Sequence, residues 1–178
     1  MNIVGIIGSL RKGSYNRSLM NAVRAMAPDG VVFTILEIGD LPLFNQDVEV
    51  AAFPKEAQVL KDKIKAADGI IIATPEYNRS IPGVLKNAID WTSRPYGASA
   101  WTGKHVAVMG ASGGTLGTAL AQSHLRQILI YLDTRLMGQP EFYLGEIAKK
   151  IDESGALVDA ATKEHILKFW QTFLGGTK

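Results

Sequence analysis

The residues of this chain best suited to chemistry lie in three polar loops, each entered from an apolar run. The first loop is Gly8-Ser9-Leu10-Arg11-Lys12-Gly13-Ser14-Tyr15-Asn16-Arg17. Hydroxyls and glycines leading into a helix start aim unpaired backbone N–H groups and the positive end of a helix dipole at one point, where a phosphate can sit. Gly8 and Gly13 have the separation of a triphosphate loop, but that loop needs Lys and then Ser or Thr after the second glycine, and Ser14-Tyr15 stand there. Lys12 lies on the wrong side of the glycine. The dinucleotide fingerprint fails as well, because Leu10 occupies the position of its second glycine. A monophosphate is the best guest, with Ser9, Ser14 and Asn16 as short polar groups and Arg11 and Arg17 offsetting a dianion. The plainer alternative is that Ser14 or Asn16 only caps the helix.

The second loop, Pro75-Glu76-Tyr77-Asn78-Arg79-Ser80-Ile81-Pro82, is bracketed by prolines that restrict it and end both flanking elements. A stiff loop with an aromatic and an amide suits a planar heterocycle, which needs a ring contact and backbone donors at its edge. An ordinary turn with Asn78 or Ser80 as a helix cap is equally compatible with the local sequence. The third loop, Gly110-Ala111-Ser112-Gly113-Gly114, fits G-x-S-x-G on a strand-to-helix turn. Asp133 or Asp159 followed by His165 would complete the order of a serine hydrolase with Ser112 as nucleophile. Against that reading stand the short motif, the small sheet and the position of His165 near the polar side of a terminal helix. The other role for this loop is backbone donation from Ser112 and Gly113, with little side chain to keep a flat ring away.

Elements that can position these loops alternate along the chain. Residues 2–8, Val31–Glu37, Gly69–Thr74, His105–Ala111 and a short run around Arg135–Met137 read as strands. Between them lie amphipathic helices, with stripes such as Leu19, Ala22, Val23 and Met26, or Ala57, Leu60, Ile64 and Ala67. Val31–Glu37 alternates in polarity and suits a sheet edge, whereas Gly69–Thr74 is continuously apolar and suits the centre. A long connection, Ile38 to Phe53, carries Asp40, Asp47 and Glu49 and reads as a solvated or partner-facing loop. Trp91, Tyr96 and Trp101 read as core or subunit contact, and His105, His124 and His165 as surface or partly packed residues without metal-ligand spacing.

Strict βα alternation implies an α/β fold with a doubly wound parallel sheet and helices on both faces. Five strands favour the flavodoxin-like order 2-1-3-4-5 in one domain over residues 1–178. Ligands bind such sheets at the carboxyl ends of the strands, beside the point where the order reverses, so the three loops should converge there.

Composition removes several classes of function. A chain of 178 residues can bury about 70% of its unfolded surface without staples. It contains no cysteine, so thiolate catalysis and cysteine metal sites are excluded, redox chemistry must come from a cofactor, and a reducing cytoplasm is suited. No secretory signal and no apolar stretch of about 20 residues is visible, so no membrane association is expected. A net charge of +2, with both signs interleaved, provides no basic stripe for nucleic acid.

Taken together, Gly8–Asn16, Pro75–Asn78, Leu85-Lys86-Asn87-Ala88-Ile89-Asp90-Trp91 and Ser112–Gly114 resemble the NADPH-dependent FMN reductase family, and within it the chromate and quinone reductase branch. The resemblance spans nearly the whole chain. It implies a flavodoxin-like fold, non-covalent FMN, NADPH or NADH as reductant, and homodimers or homotetramers with active sites near the subunit boundary. Ser9, Arg11, Ser14 and Asn16 would bind the FMN phosphate, with Lys12 and Gly13 completing the loop. Pro75, Glu76, Tyr77 and Asn78 would line the isoalloxazine, and Ser112 and Gly113 would contact it from the third loop. The implied reaction passes hydride from reduced nicotinamide through flavin N5 to a small acceptor by a ping-pong sequence, with no catalytic side chain required. Quinones, azo or nitro compounds, free flavin and chromate are the implied acceptors. A flavodoxin-like electron carrier without turnover is the remaining alternative, disfavoured because such carriers are usually strongly acidic.

Overall fold

The apolar runs become the strands of one parallel sheet in a computed structural model that describes residues 1–177. These are β1 (Asn2–Ile7), β2 (Val32–Leu36), β3 (Gly69–Ala73), β4 (His105–Ala111), β5 (Arg135–Leu136) and β6 (Phe142–Leu144). The order is β2-β1-β3-β4-β5, with β6 also paired to β4. The short fifth strand expected around Arg135–Met137 is β5, which pairs with His105 and Val106, and a further strand not expected from the sequence, β6, pairs with Met109 to Ala111. Met137 still donates to the Val106 carbonyl at 2.8 Å, but Pro140 has no N–H to continue the ladder.

The described residues form six α-helices: α1 (Tyr15–Ala25), α2 (Gln46–Ala51), α3 (Lys55–Ala66), α4 (Gly83–Thr92), α5 (Ala119–Tyr131) and α6 (Ala160–Gly176), of which all but α2 pack on the sheet. Strand periodicity of two divides the core. Ile3, Ile7, Ile71, Ala107 and Met109 face α1 and α6, where Leu19, Val23, Phe169 and Phe173 meet them. Val4, Ile6, Ile70, Ile72, Val106 and Val108 face α3, α4 and α5, against Leu60, Ile64, Leu85, Ile89, Leu125 and Leu129. β3 and β4 are buried throughout, whereas β2 alternates at the edge, as their sequences imply.

The long connection is not an irregular solvated loop. Asn45 starts α2 by accepting a hydrogen bond from the Asp47 N–H at 2.8 Å, and Glu49 turns inward to Arg94 at 2.8 Å. Those two side chains are only 7% and 13% exposed, while Asp40 and Asp47 remain exposed as expected. On α4, Asn87 accepts from the Phe44 N–H at 2.7 Å and donates to the Pro42 carbonyl at 2.9 Å, and the Trp91 indole donates to that carbonyl at 2.7 Å. Residues four apart share a helix face, so Asn87 and Trp91 form a clasp. Trp91 and Trp101 are core residues, and Tyr96 stays exposed with the Arg94 guanidinium 3.9 Å from its ring centroid.

His105, expected as a surface or partly packed residue, is buried against Phe173 with ring centroids 4.8 Å apart; His165 meets Phe142 edge-on at 4.3 Å. Burial, aided by the charges of Arg135 and Lys168 respectively, holds both imidazoles below their ordinary value. The unfolded chain therefore binds protons that the folded chain refuses once the pH drops under about 6.5. Stability contributed by the neutral rings is complete above that pH and is lost as pH falls toward the folded values. The urea midpoint is expected to decline between about pH 7 and pH 5, and less so in His105→Asn; equal slopes for both proteins would contradict this assignment.

Candidate active site

Register brings the three loops together. Ile7 pairs with Ala73, Ala73 with Met109 and Met109 with Phe142, so β1 and β3 end at one level of the sheet and β4 runs two residues beyond it beside β6. The ladder continues one step further, with the Gly8 N–H donating to the Ala73 carbonyl at 2.9 Å and the Thr74 N–H to the Met109 carbonyl at 3.0 Å. A Cβ at Gly8 would lie 3.1 Å from the Pro75 ring, so the first two loops are in contact. One at Gly113 would lie 3.6 Å from the Tyr15 ring, which joins the third loop to the start of α1.

In the first loop, Ser14 is the N-cap residue of α1 but its hydroxyl makes no capping bond. Among the described residues, the N–H groups of Ser14, Tyr15 and Asn16 also donate to no protein acceptor. Ser9 and Ser14 are buried, and Arg11, Lys12 and Gly13 are exposed above them. Arg11 folds back over the loop, its Nη2 donating to the Gly13 carbonyl at 3.1 Å. Free donors, hydroxyls and two cations around a helix N-terminus fit a dianionic phosphate. Arg17 is engaged elsewhere, in a two-pronged pair with Glu37 at 3.0 Å on both arms.

Asn16 holds another partner. Its Nδ2 donates to the Ala111 carbonyl at 3.0 Å and its Oδ1 accepts from the Ala111 N–H at 2.9 Å, all buried. The side chain thus completes the unpaired end of β4 as a strand would, and only its backbone N–H is open to a ligand. Asn16 neither caps the helix nor presents its amide to the loop.

The second loop is a miniature hairpin. Tyr77 and Ser80 exchange both backbone hydrogen bonds at 3.0 Å, and Asn78 and Arg79 between them take φ of 50° and 64°. Two left-handed residues in succession make a tight turn that asparagine tolerates well. Neither Asn78 nor Ser80 caps α4, whose N-cap is Pro82. Tyr77 is 47% exposed above the hairpin. Glu76 turns away from Tyr77: its Oε2 accepts from the N–H groups of Leu120 at 3.0 Å and Ala121 at 3.1 Å, while Oε1 meets Arg79 at 3.3 Å. A carboxylate at the positive end of α5 is favourable, and it ties the second loop to the element that follows the third.

In the third loop the Ser112 N–H donates to the Leu144 carbonyl at 3.0 Å, so of the two expected backbone donors Gly113 alone keeps a free N–H. The Ser112 hydroxyl donates to the Gly114 carbonyl at 2.9 Å. Gly110 shows why this loop can lie so close to the second: a Cβ there would stand 1.7 Å from Thr118 Oγ1 and 2.6 Å from the Thr74 carbonyl. Gln122 closes the packing from α5, donating to the Phe142 carbonyl at 2.9 Å and to Thr118 Oγ1 at 3.1 Å. Glu76, Gly110, Thr118 and Gln122 were unreadable as a supporting frame because their partners lie on other elements.

The NADPH-dependent FMN reductase family model matches residues 1–149. The chain is 48% identical over 174 residues to a 2-hydroxy-1,4-benzoquinone reductase of Burkholderia sp, covering 98% of this chain and 92% of that protein. It is 42% identical to a quinone reductase of Escherichia coli strain K12 over 93% of this chain and 89% of the other. The solved structure of FerB, a flavoenzyme NAD(P)H:(acceptor) oxidoreductase from Paracoccus denitrificans, superposes with a TM-score of 0.91 at 40% identity, covering 99% of this chain and 96% of that one. An azoreductase from Bacillus anthracis shares the fold at a TM-score of 0.65 and 15% identity, over 99% of this chain and 97% of its own. Three loops meeting at the carboxyl ends of a 2-1-3-4-5 sheet, together with these matches, show that the chain belongs to the NADPH-dependent FMN reductase family.

Proposed function

We propose that this chain, as a single FMN-binding domain, is an FMN-dependent NAD(P)H oxidoreductase of the quinone-reductase type. The observation that carries the reading is the set of unspent donors at the start of α1, level with two loops that leave an open, partly aromatic surface. Ser9, Arg11, Lys12, Gly13 and Ser14, with the N–H of Asn16, would hold the phosphate. Pro75, Tyr77, Asn78 and Gly113 would border the ring, while Glu76, the Asn16 amide and Ser112 keep the loops in place through the contacts described above. When bound, FMN supplies hydride acceptance from NADPH or NADH and hydride donation to a quinone or other small acceptor. The protein orients both partners in turn over the same surface, which makes the exchange ping-pong and leaves acceptor choice broad, with azo and nitro compounds, free flavin and chromate included. Assembly as a homodimer or homotetramer belongs to this reading, supported by the large exposed apolar side chains Leu43, Val50 and Tyr131. So does a cytoplasmic location, supported by the absence of cysteine. Among the described residues no helix is long and apolar enough to cross a membrane.

A hydrolytic role for Ser112 has no support in the geometry, since its hydroxyl is given to Gly114 and His165 packs on Phe142. The purified protein is expected to be yellow, to bleach rapidly with NADPH under nitrogen and to recolour with a quinone. A colourless protein unable to take up FMN would sink the proposal, and slow bleaching with tight flavin would indicate a carrier. Arg11→Ala should weaken FMN about tenfold while leaving riboflavin nearly unchanged; equal losses would remove Arg11 from the phosphate site.

A further inference from the structure

We propose that the groove between α1 and the segment 151–157 is a second ligand site, which takes a small amphipathic carboxylate. The groove encloses about 610 Å³, within the range of small-molecule sites. Ala22 and Ala25 of α1, with Met26 at its C-cap, form one apolar wall, and Ala156 and Leu157 form the other. Methionine adapts to varied apolar shapes. Ser18, Asn21 and Ser154 line the inner end.

Charge selects the guest. Arg24 and Lys163 line the groove, no carboxylate does, and among the described residues neither cation makes an ion pair. Arg24 has a structural reason to be where it is, in the last turn of α1, where the dipole favours a cation. Lys163 has the opposite placement, four residues into α6, where the positive helix end opposes it. Asp159 at that end is already occupied, capping Thr162 at 2.8 Å and pairing with Lys150 at 3.4 Å. An anion between Arg24 and Lys163 would be favoured by the α6 terminus and by both side chains, two full charges that outweigh the partial negative charge at the end of α1, while its apolar body lay along Met26 and Leu157.

The wall opposite α1 is preformed. Asp152 Oδ1 accepts from the N–H groups of Ser154 at 2.9 Å and Ala156 at 3.0 Å, and Ile151 bridges Leu157. Gly155, at φ +83°, comes so close to α1 that a Cβ would stand 3.1 Å from Ser18 Oγ. Ser18, Asn21, Ser154 and Gly155 also line a polar cavity of about 320 Å³ that reaches Lys12, Gly13 and Ser14, so the groove adjoins that cavity at the Gly155 waist. Ala22, Arg24, Met26, Leu157 and Lys163 line the groove and not that cavity, so the proposed contacts lie apart from Lys12, Gly13 and Ser14.

The test uses FMN-loaded protein and 1-naphthoate, followed by backbone amide chemical shifts. Saturable shifts are expected at residues 21–26 and 154–157. Naphthalene-1-carboxamide, the same shape without charge, should bind about tenfold more weakly, as should naphthoate to the Arg24→Glu, Lys163→Glu double variant. Ala25→Phe, at an exposed position, fills the groove and should abolish the shifts while the flavin spectrum stays unchanged. Shifts confined to residues 8–16, 75–80 and 110–118 would overturn the proposal, as would affinity indifferent to all three changes. Because flavin content is read separately in each sample, failure here is distinguishable from failure of the FMN reading.

Discussion

Asn16→Leu is expected to destabilise the protein by about 2 to 4 kcal/mol even without cofactor, because the N–H and carbonyl of Ala111 are then both buried without partners. The two hydrogen bonds join α1 to the end of β4, and without them the first loop and the third loop no longer hold a fixed separation. FMN affinity should fall about tenfold or more in consequence. Urea titration of the apo-protein decides between two roles for this residue. An asparagine that only touched phosphate could be replaced at little cost to the empty protein, and an unchanged apo midpoint would assign it that role. A clamp cannot. Asn16→Asp sharpens the comparison, since the carboxylate can still accept from the Ala111 N–H but can no longer donate to its carbonyl.

The second large effect lies away from the crevice. Arg94→Ala strands the Glu49 carboxylate in a position only 7% exposed, and removing one partner of a buried pair costs about 3 to 5 kcal/mol. Lys61 stands close enough to Glu49 for their charges to interact, and it bonds to the Arg94 carbonyl. It offsets part of the loss, so about 3 kcal/mol is expected. Removing both charges with Glu49→Leu and Arg94→Met should restore most of the stability, because two apolar side chains need no partners there. A double variant as unstable as the single one would show that the hydrogen-bond geometry of Arg94, and not the stranded charge, holds the connection. The effect reaches the site indirectly: the connection carries Gly39, and a Cβ there would lie 3.2 Å from the Leu10 side chain in the first loop.

These two residues also show what a linear reading can and cannot recover. In sequence, Glu49 is one of three carboxylates in a polar connection. Nothing local distinguishes it from Asp40 and Asp47, and only the approach of Arg94, just beyond α4 and 45 residues away, selects it for burial. Asn16 is legible as a chemically able residue beside a phosphate loop, but its partner lies 95 residues further on. Glu76 is the same case, read as part of a ring-lining loop and found capping α5 across 44 residues. His105 looks ordinary in sequence because its neighbour Phe173 comes from the last helix.

Where the determining interactions are local or periodic, the residues are sufficient. The alternation of strands and helices, the central position of β3 and the edge position of β2 follow from which side chains must leave water, a property each segment carries alone. The same holds for the free N–H groups at the start of α1, which are a consequence of backbone geometry. Leu10 and the Ser14-Tyr15 pair argue against a triphosphate or dinucleotide motif in the first loop without any knowledge of the fold. The tertiary structure decided which polar side chains remain available to a ligand. Hydrogen bonding is saturable: once Asn16 has satisfied Ala111, Glu76 the start of α5 and Arg17 Glu37, those groups are no longer free, and only the folded chain reveals their partners.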